Sequence, residues 1–384
     1  MSDTSDLAPR GEFGDTSDAG DLAPRGEFGD LGDLLAGAQV VVCCGSGGVG
    51  KTTTAAALGL QAAATGRRAV VVTIDPAKRL ADALGVPGGL TNDPVRLPVE
   101  ASGELWALML DTATTFDGLV AANAESAEQA ERILANPFYR NIAGSLSGTQ
   151  EYMAAERLHA LHADARFDLV IVDTPPSRQA LDFLDAPGTL SRFLDHPLFK
   201  LLIMPTKRGL KVLNLAAQPI LRTIGKVVGG DVLADAIAFF QAFAGMETGF
   251  RQRADEVTDL MHSGVTRFVL VASPRPDTVL EARFFAERLR RSRLRVGAVV
   301  VNRSTPRFGP AEMPRPRSAN AAALHDNLAA LHAMVLAETA TIAPLAADAD
   351  VVPVWVPLLA GDVHDLSGLE QIRRLLFDPT AATR

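Results

Sequence analysis

Lys51 and Thr52 end the run Gly45-Ser46-Gly47-Gly48-Val49-Gly50-Lys51-Thr52, which follows the apolar segment Val40-Val41-Val42-Cys43-Cys44. This is the spacing of a phosphate-binding loop, G-x-x-x-x-G-K-[ST], set between a strand and a helix. The inner glycines let backbone N–H groups close around phosphate oxygens with no Cβ in the way. Lys51 brings a positive charge to the β- and γ-phosphates, and the Thr52 hydroxyl is a ligand for Mg²⁺. The Ala-rich helix expected from Lys51 to about Ala64 turns its positive end toward the same anion. Two carboxylates suit such a site. Asp75 ends one apolar run and Asp173 ends another, Leu169–Val172. A nucleotide on this kind of fold lies at the carboxyl ends of parallel strands. Phosphoryl transfer to water needs a metal anchor and a group that positions the nucleophile, two jobs that Asp75 and Asp173 can divide. Asp111 also closes a strand-like run, and there the reading is a helix cap. Asn302 follows Val299-Val300-Val301; its amide carries a donor and an acceptor, which suits the edge of adenine and equally suits a turn.

The elements that must hold these groups are legible as apolar, β-branched runs at 39–44, 68–74, 105–110, 167–172, 267–272 and 296–301, with a shorter Pro-interrupted run at 351–356. Their hydrophobicity is continuous rather than alternating, so the strands are expected to be covered on both faces. The fold class is therefore α/β, a mostly parallel central sheet flanked by helices. Residues 116–165 read as polar helices, and 179–262 as a long helical insertion. Within the insertion, Arg192, Lys200, Lys207, Arg208, Lys211, Arg222 and Lys226 face a single acid, Asp195, among many Leu, Ile and Phe. Such a basic amphipathic segment either caps its own core or offers a surface to an apolar helix or a membrane. Residues 303–318 read as a Pro/Arg-rich loop, followed by a helix from about Ala319 to Thr341.

The chain has 384 residues, enough for one large α/β domain, expected at 37–384. Its formal charge of −8 is local, because residues 1–36 hold nine acids against Arg10 and Arg25. No global field then argues for nucleic acid. That acidic segment repeats Asp-Leu-Ala-Pro-Arg-Gly-Glu-Phe-Gly-Asp at 6–15 and 21–30 and is expected to be disordered. The only cysteines, Cys43 and Cys44, are adjacent in the first strand and point to opposite faces, which argues against a disulfide or a zinc site. A cytoplasmic location is the expectation, with no leader or membrane-spanning run in the sequence and membrane contact at most peripheral.

Together these motifs resemble the arsenical-pump and guided-entry ATPase family, deviant phosphate-loop ATPases that work as dimers. The resemblance covers roughly residues 38–375. It rests on Gly-Ser-Gly-Gly-Val-Gly-Lys-Thr-Thr (45–53), Ile-Asp-Pro-Ala (74–77), Asp-Thr-Pro-Pro-Ser (173–177) with Ala-Leu-Asp-Phe-Leu (180–184), Val-Asn (301–302) and Val-Pro-Leu-Leu (356–359). It implies ATP and Mg²⁺ as ligands, with residues 45–53 through Thr53 enclosing the phosphates. Asp75 would orient the attacking water and lie near the metal, Thr52 would bind Mg²⁺, and Asp173 would hold it through water. Asn302 would read adenine, and the backbone at Pro357 would line the same pocket. Within the family the chain is most similar to actinobacterial-type members that occur as paired, non-identical chains. It departs from the pattern at Ser46, where the family carries a lysine that reaches a partner's nucleotide. A paralogous ATPase chain supplying that lysine, or a second copy of this chain, is the expected partner, and the insertion is the expected site for an apolar helical client. Arsenite-binding cysteines and a Cys-x-x-Cys zinc clamp are both missing from the sequence. The rivals are a partition or division-type ATPase bound to membrane or DNA, and a subunit that binds nucleotide without hydrolysing it.

Overall fold

The computed structural model describes residues 30–75, 79–143, 149–175, 182, 230–243, 245–308 and 315–378. The repeat at 1–29, Pro76–Lys78, Pro176 and Ser177, the basic apolar segment at 192–229 and residues 309–314 of the Pro/Arg-rich loop lie outside the described residues.

An eight-stranded sheet runs in the order β3-β4-β2-β5-β1-β6-β7-β8. Its members are β1 (Val40–Cys44), β2 (Arg68–Thr73), β3 (Val95–Arg96), β4 (Glu104–Met109), β5 (Leu169–Asp173), β6 (Thr266–Ala272), β7 (Val296–Ser304) and β8 (Val354–Pro357). All pairings are parallel except β3 with β4. The expected mostly parallel α/β sheet is thus the observed one, with a two-residue antiparallel edge that no sequence pattern announces. Strand alternation divides the core. Val41 and Cys43 face one apolar cluster, while Val40, Val42 and Cys44 face the other.

On the first face lie α1 (Leu31–Gly37), α2 (Lys51–Ala64), α3 (Arg79–Leu84) and, near the C-terminus, a helix at Leu366–Phe377. Helix α2 can lie close to the sheet because Gly59 has no Cβ; one there would stand 2.8 Å from both Leu105 Cδ1 and Val71 Cγ2. Helix α1 corrects the expectation that residues 1–36 are a disordered tail: the last part of that segment belongs to the fold. Asp30 caps it by accepting the Asp33 N–H at 2.8 Å, and Leu31, Leu34 and Leu35 are buried. Their i, i+3, i+4 spacing forms one apolar stripe, which outweighs the acidic composition around it. Arg67 fastens α1 to the sheet, donating to Leu35 O at 2.6 Å, Ala38 O at 2.7 Å and Asp168 O at 2.5 Å.

Between β4 and β5 the chain forms α4 (Thr112–Asn123), α5 (Ala127–Leu134), α6 (Pro137–Ala143) and α7 (Thr149–Ala163). After the undescribed stretch come α8 (Gly230–Ala242) and α9 (Glu247–His262), then α10 (Pro276–Arg291), α11 (Ala319–Ala349) and α12 (Leu366–Phe377). The proposed insertion at 179–262 proves too long at its C-terminal end. Val257, Leu260 and Met261 of α9 join α7, α10 and α11 on the second face of the sheet. The stripe Phe250, Ala254, Val257, Met261 makes α9 a layer helix, not an appendage. Its first turns, with α8 and α4 to α7, enclose a separate aromatic cluster of Tyr139, Tyr152, Phe239, Phe243 and Phe250. Helix α11 runs beyond the expected end at Thr341 and through Pro344, because Ile342 and Leu345 are buried against the sheet and hold the last turns down. Leu324, Met334 and Leu336 stand exposed on its outer side.

Candidate active site

The loop between β1 and α2 is shaped by two close approaches. Gly45 has φ +155, and a Cβ there would lie 2.1 Å from Val271 O; at Gly50, φ +95, it would lie 2.1 Å from Asn302 Nδ2. Only glycine fits either position. Ser46 and Val49 are buried, while Gly47 and Gly48 are exposed, so the tip of the loop is open. The amino end of α2 begins at Lys51 and points its unpaired N–H groups at this opening. Lys51 is buried, and its ammonium folds back to donate to Ser46 O at 2.8 Å. Burial lowers its pKa, and the negative charge of Asp173 opposes that fall.

Strand register brings the carboxylates to the loop. Cys43, Asp173 and Thr73 are level across β1, β5 and β2. Asp173 is buried, and its Oδ2 accepts hydrogen bonds from Thr52 Oγ1 at 2.8 Å and Thr73 Oγ1 at 3.0 Å. Its Oδ1 is buried with no partner. Asp75 lies just past β2, its N–H donating to Thr73 Oγ1 at 3.3 Å and its carboxylate 3.5 Å from Arg79 Nη1. Thr73 therefore touches both carboxylate residues, and it is a contact the sequence reading missed. The available signal was a hydroxyl two residues before a strand-end aspartate, meaningful only once the β2–β5 register is known.

The unpartnered oxygen of Asp173 beside the Thr52 hydroxyl is a hard-oxygen donor set that fits Mg²⁺. Among the described residues no group of three or more His, Cys, Asp or Glu could hold a metal by itself. Mg²⁺ needs none, because it is held by one or two protein oxygens together with substrate phosphates and waters.

Burial raises the Asp173 pKa to about 6, against the pull of the Thr52 and Thr73 hydrogen bonds and the Lys51 charge. The sign is the reverse of the usual carboxylate. Ionising Asp173 destabilises the ligand-free fold, starting above its ordinary value of 3.8 and in full above about pH 6. Asp173→Asn is accordingly expected to stabilise the ligand-free protein by about 1–3 kcal/mol at pH 8, with the gain shrinking as pH falls toward 4. Thermal unfolding of both proteins across that range checks it, and a variant less stable at pH 8 contradicts it.

A second group converges from the other side of the loop. Asn302 is buried at the end of β7, and its Nδ2 donates to Val49 O at 2.9 Å while its Oδ1 accepts the Arg303 N–H at 3.0 Å. One N–H and one lone pair of the amide are already used within the protein, which leaves one of each for a ligand. Arg303 has φ +61, and its Nη1 donates to Gly48 O at 3.0 Å. Pro357 ends β8 in register with Ser304, so it borders the same strand ends. Asp111, by contrast, is a cap, accepting the Thr114 N–H at 2.6 Å at the start of α4.

Cys43 and Cys44 are fully buried on opposite faces of β1. Burial raises both thiol pKa values, that of Cys44 to about 12. Both stay protonated and unreactive near neutrality.

A family model described as "Anion-transporting ATPase" matches residues 38–326. The chain is 31% identical over 156 residues to a protein named "ATPase GET3" from Malassezia globosa, covering 40% of this chain and 44% of that relative. It is 28% identical over 362 residues to an "ATPase ASNA1 homolog" from Trypanosoma cruzi, covering 88% of this chain and 91% of the relative. It is also 24% identical over 347 residues to a "Putative arsenical pump-driving ATPase 1" from Aquifex aeolicus, covering 88% of this chain and 78% of the relative.

Proposed function

The chain belongs to the anion-transporting ATPase family, a family of ATPases, and on that premise we propose that it binds ATP with Mg²⁺ and hydrolyses the β–γ phosphoanhydride. The observation that carries the reading is the row Thr52, Asp173, Thr73 and Asp75 set beside a glycine loop whose lysine is buried. The N–H groups of residues 46–52 and the Lys51 ammonium hold the β- and γ-phosphates, Lys51 exchanging Ser46 O for phosphate oxygen. Thr52 and Asp173 would hold Mg²⁺, which would supply positive charge against that developing on the transferring phosphoryl group. Asp75 accepts a hydrogen bond from a water and aligns it on the γ-phosphorus. As the new P–O bond forms, the bond to the bridging oxygen breaks, ADP leaves with that oxygen, and the water's proton passes to the released phosphate. Thr73 keeps Asp75 and Asp173 in step through its single hydroxyl.

The finer parts of the reading concern assembly and cargo. The cycle opens and closes a dimer with a paralogous chain, because Ser46 offers no cation to a neighbouring nucleotide. The dimer handles an apolar partner. The Leu-, Ile- and Phe-rich sequence at 190–224 and the exposed Leu324, Met334 and Leu336 of α11 support that partner's chemistry. Arsenite is disfavoured as a ligand, since the two thiols are buried and protonated.

Lys51→Ala tests the nucleotide site. It is expected to weaken ATP binding about 100-fold in calorimetric titration, the scale of one charged phosphate contact. Unchanged affinity contradicts the reading.

A further inference from the structure

Resting on the nucleotide reading above, we propose that Arg303 is the surface on which the purine base stacks, and that its guanidinium links the base to the phosphate loop through Gly48.

The sheet order sets the direction of the nucleotide. Thr73 and Asp173 end β2 and β5, with Asp75 just beyond β2, on one side of β1, while β6, β7 and β8 lie on the other. A triphosphate with its γ end at the carboxylates runs across the loop, and its base reaches the ends of β7 and β8, where Asn302, Arg303 and Pro357 meet. Arg303 is held there at a cost. Its φ of +61 is a left-handed conformation that a long side chain adopts rarely, and the β7–β8 register shifts between Asn302 and Ser304. Such strain persists where surrounding contacts fix it and concentrates at binding sites.

The fixing contacts are on the loop itself. Asn302 and Arg303, consecutive in β7, donate to the carbonyls of Val49 and Gly48, consecutive in the loop, and the Arg303 N–H is tied to Asn302 Oδ1. Loop N–H groups converge on the anion, so a carbonyl taken by a side chain faces away from it. The guanidinium consequently lies outside the phosphate cup and does not replace the cation that Ser46 lacks. Arg303 itself is exposed. A planar, weakly hydrated cation anchored by one edge presents a flat face, the property that makes arginine stack on aromatic rings where lysine does not. Asn302, alongside, reads the base edge with its remaining N–H and lone pair.

The test separates base from phosphate. Arg303→Ala is expected to weaken Mg-ATP binding about tenfold or more, the scale of one stacked base, and to leave inorganic tripolyphosphate affinity within a factor of about two. Arg303→Lys, which keeps charge and loses the plane, is expected to match the alanine variant for ATP. Arg303→Gly, suited to the positive φ, gives the same split should the alanine variant unfold. Equal losses for ATP and tripolyphosphate mean that Arg303 only shapes the loop, and full ATP affinity in the lysine variant means charge rather than stacking; either result overturns the proposal. A wild-type protein that binds neither ligand overturns the nucleotide reading and this proposal with it.

Discussion

Asp75→Asn is expected to lower ATP turnover by about 10²–10⁴-fold, with ATP affinity changed by no more than a factor of about two. Asparagine keeps the shape and can remain beside Arg79 and Thr73, so the loop, Lys51 and the Thr52–Asp173 pair are untouched. What is lost, on the proposed reading, is the negative charge that orients water as it attacks phosphorus. A protein that uses nucleotide only as a structural ligand loses nothing in this variant, so the comparison also separates the enzyme from its non-hydrolysing rival. The measurement pairs steady-state phosphate release with an ATP titration. Parallel loss of binding and turnover would mean that Asp75 shapes the site without serving the chemistry.

Mixing this chain with a lysine-bearing paralogue is expected to raise ATP turnover by about 10³-fold over this chain alone, the scale of a cation supplied in trans to a transferring phosphate. The reason lies at Ser46. The residue is 5% exposed, its Oγ has no hydrogen-bond partner, and its carbonyl is occupied by Lys51. Nothing at that position reaches out of the loop, so in the proposed dimer two copies of this chain would lack the trans cation at both sites. Rates for each chain and for the mixture decide the matter. A mixture that only sums its components rules out the pairing and leaves a slow nucleotide switch.

The candidate site's residues are legible where they are local in sequence. A loop and two strand-end aspartates announce themselves through spacing, and parallel-strand hydrophobicity announces the sheet that carries them. Thr73 was not legible, because its meaning comes from register with Asp173, a residue 100 positions away. Arg303 was not legible, because nothing in its side chain predicts a left-handed backbone, which here follows from a bulge between β7 and β8. Asn302 was singled out for a base, but its first contacts are with Val49 and Arg303. At α1 composition misled: three leucines at helical spacing sat at the end of an acidic repeat and were read as part of it. Pro344 misled in the opposite sense, since tertiary burial of Ile342 and Leu345 carries α11 past it.

Hydrolysis of ATP at Asp75, Asp173 and the glycine loop is the proposal on which the rest depends. Single-turnover conversion of radiolabelled ATP, with this protein in excess over nucleotide and Mg²⁺ present, tests it most directly. Stoichiometric ADP and phosphate are expected with wild-type protein, and retained, unconverted ATP with Asp75→Asn. Unconverted ATP in both, or equal conversion in both, would contradict it.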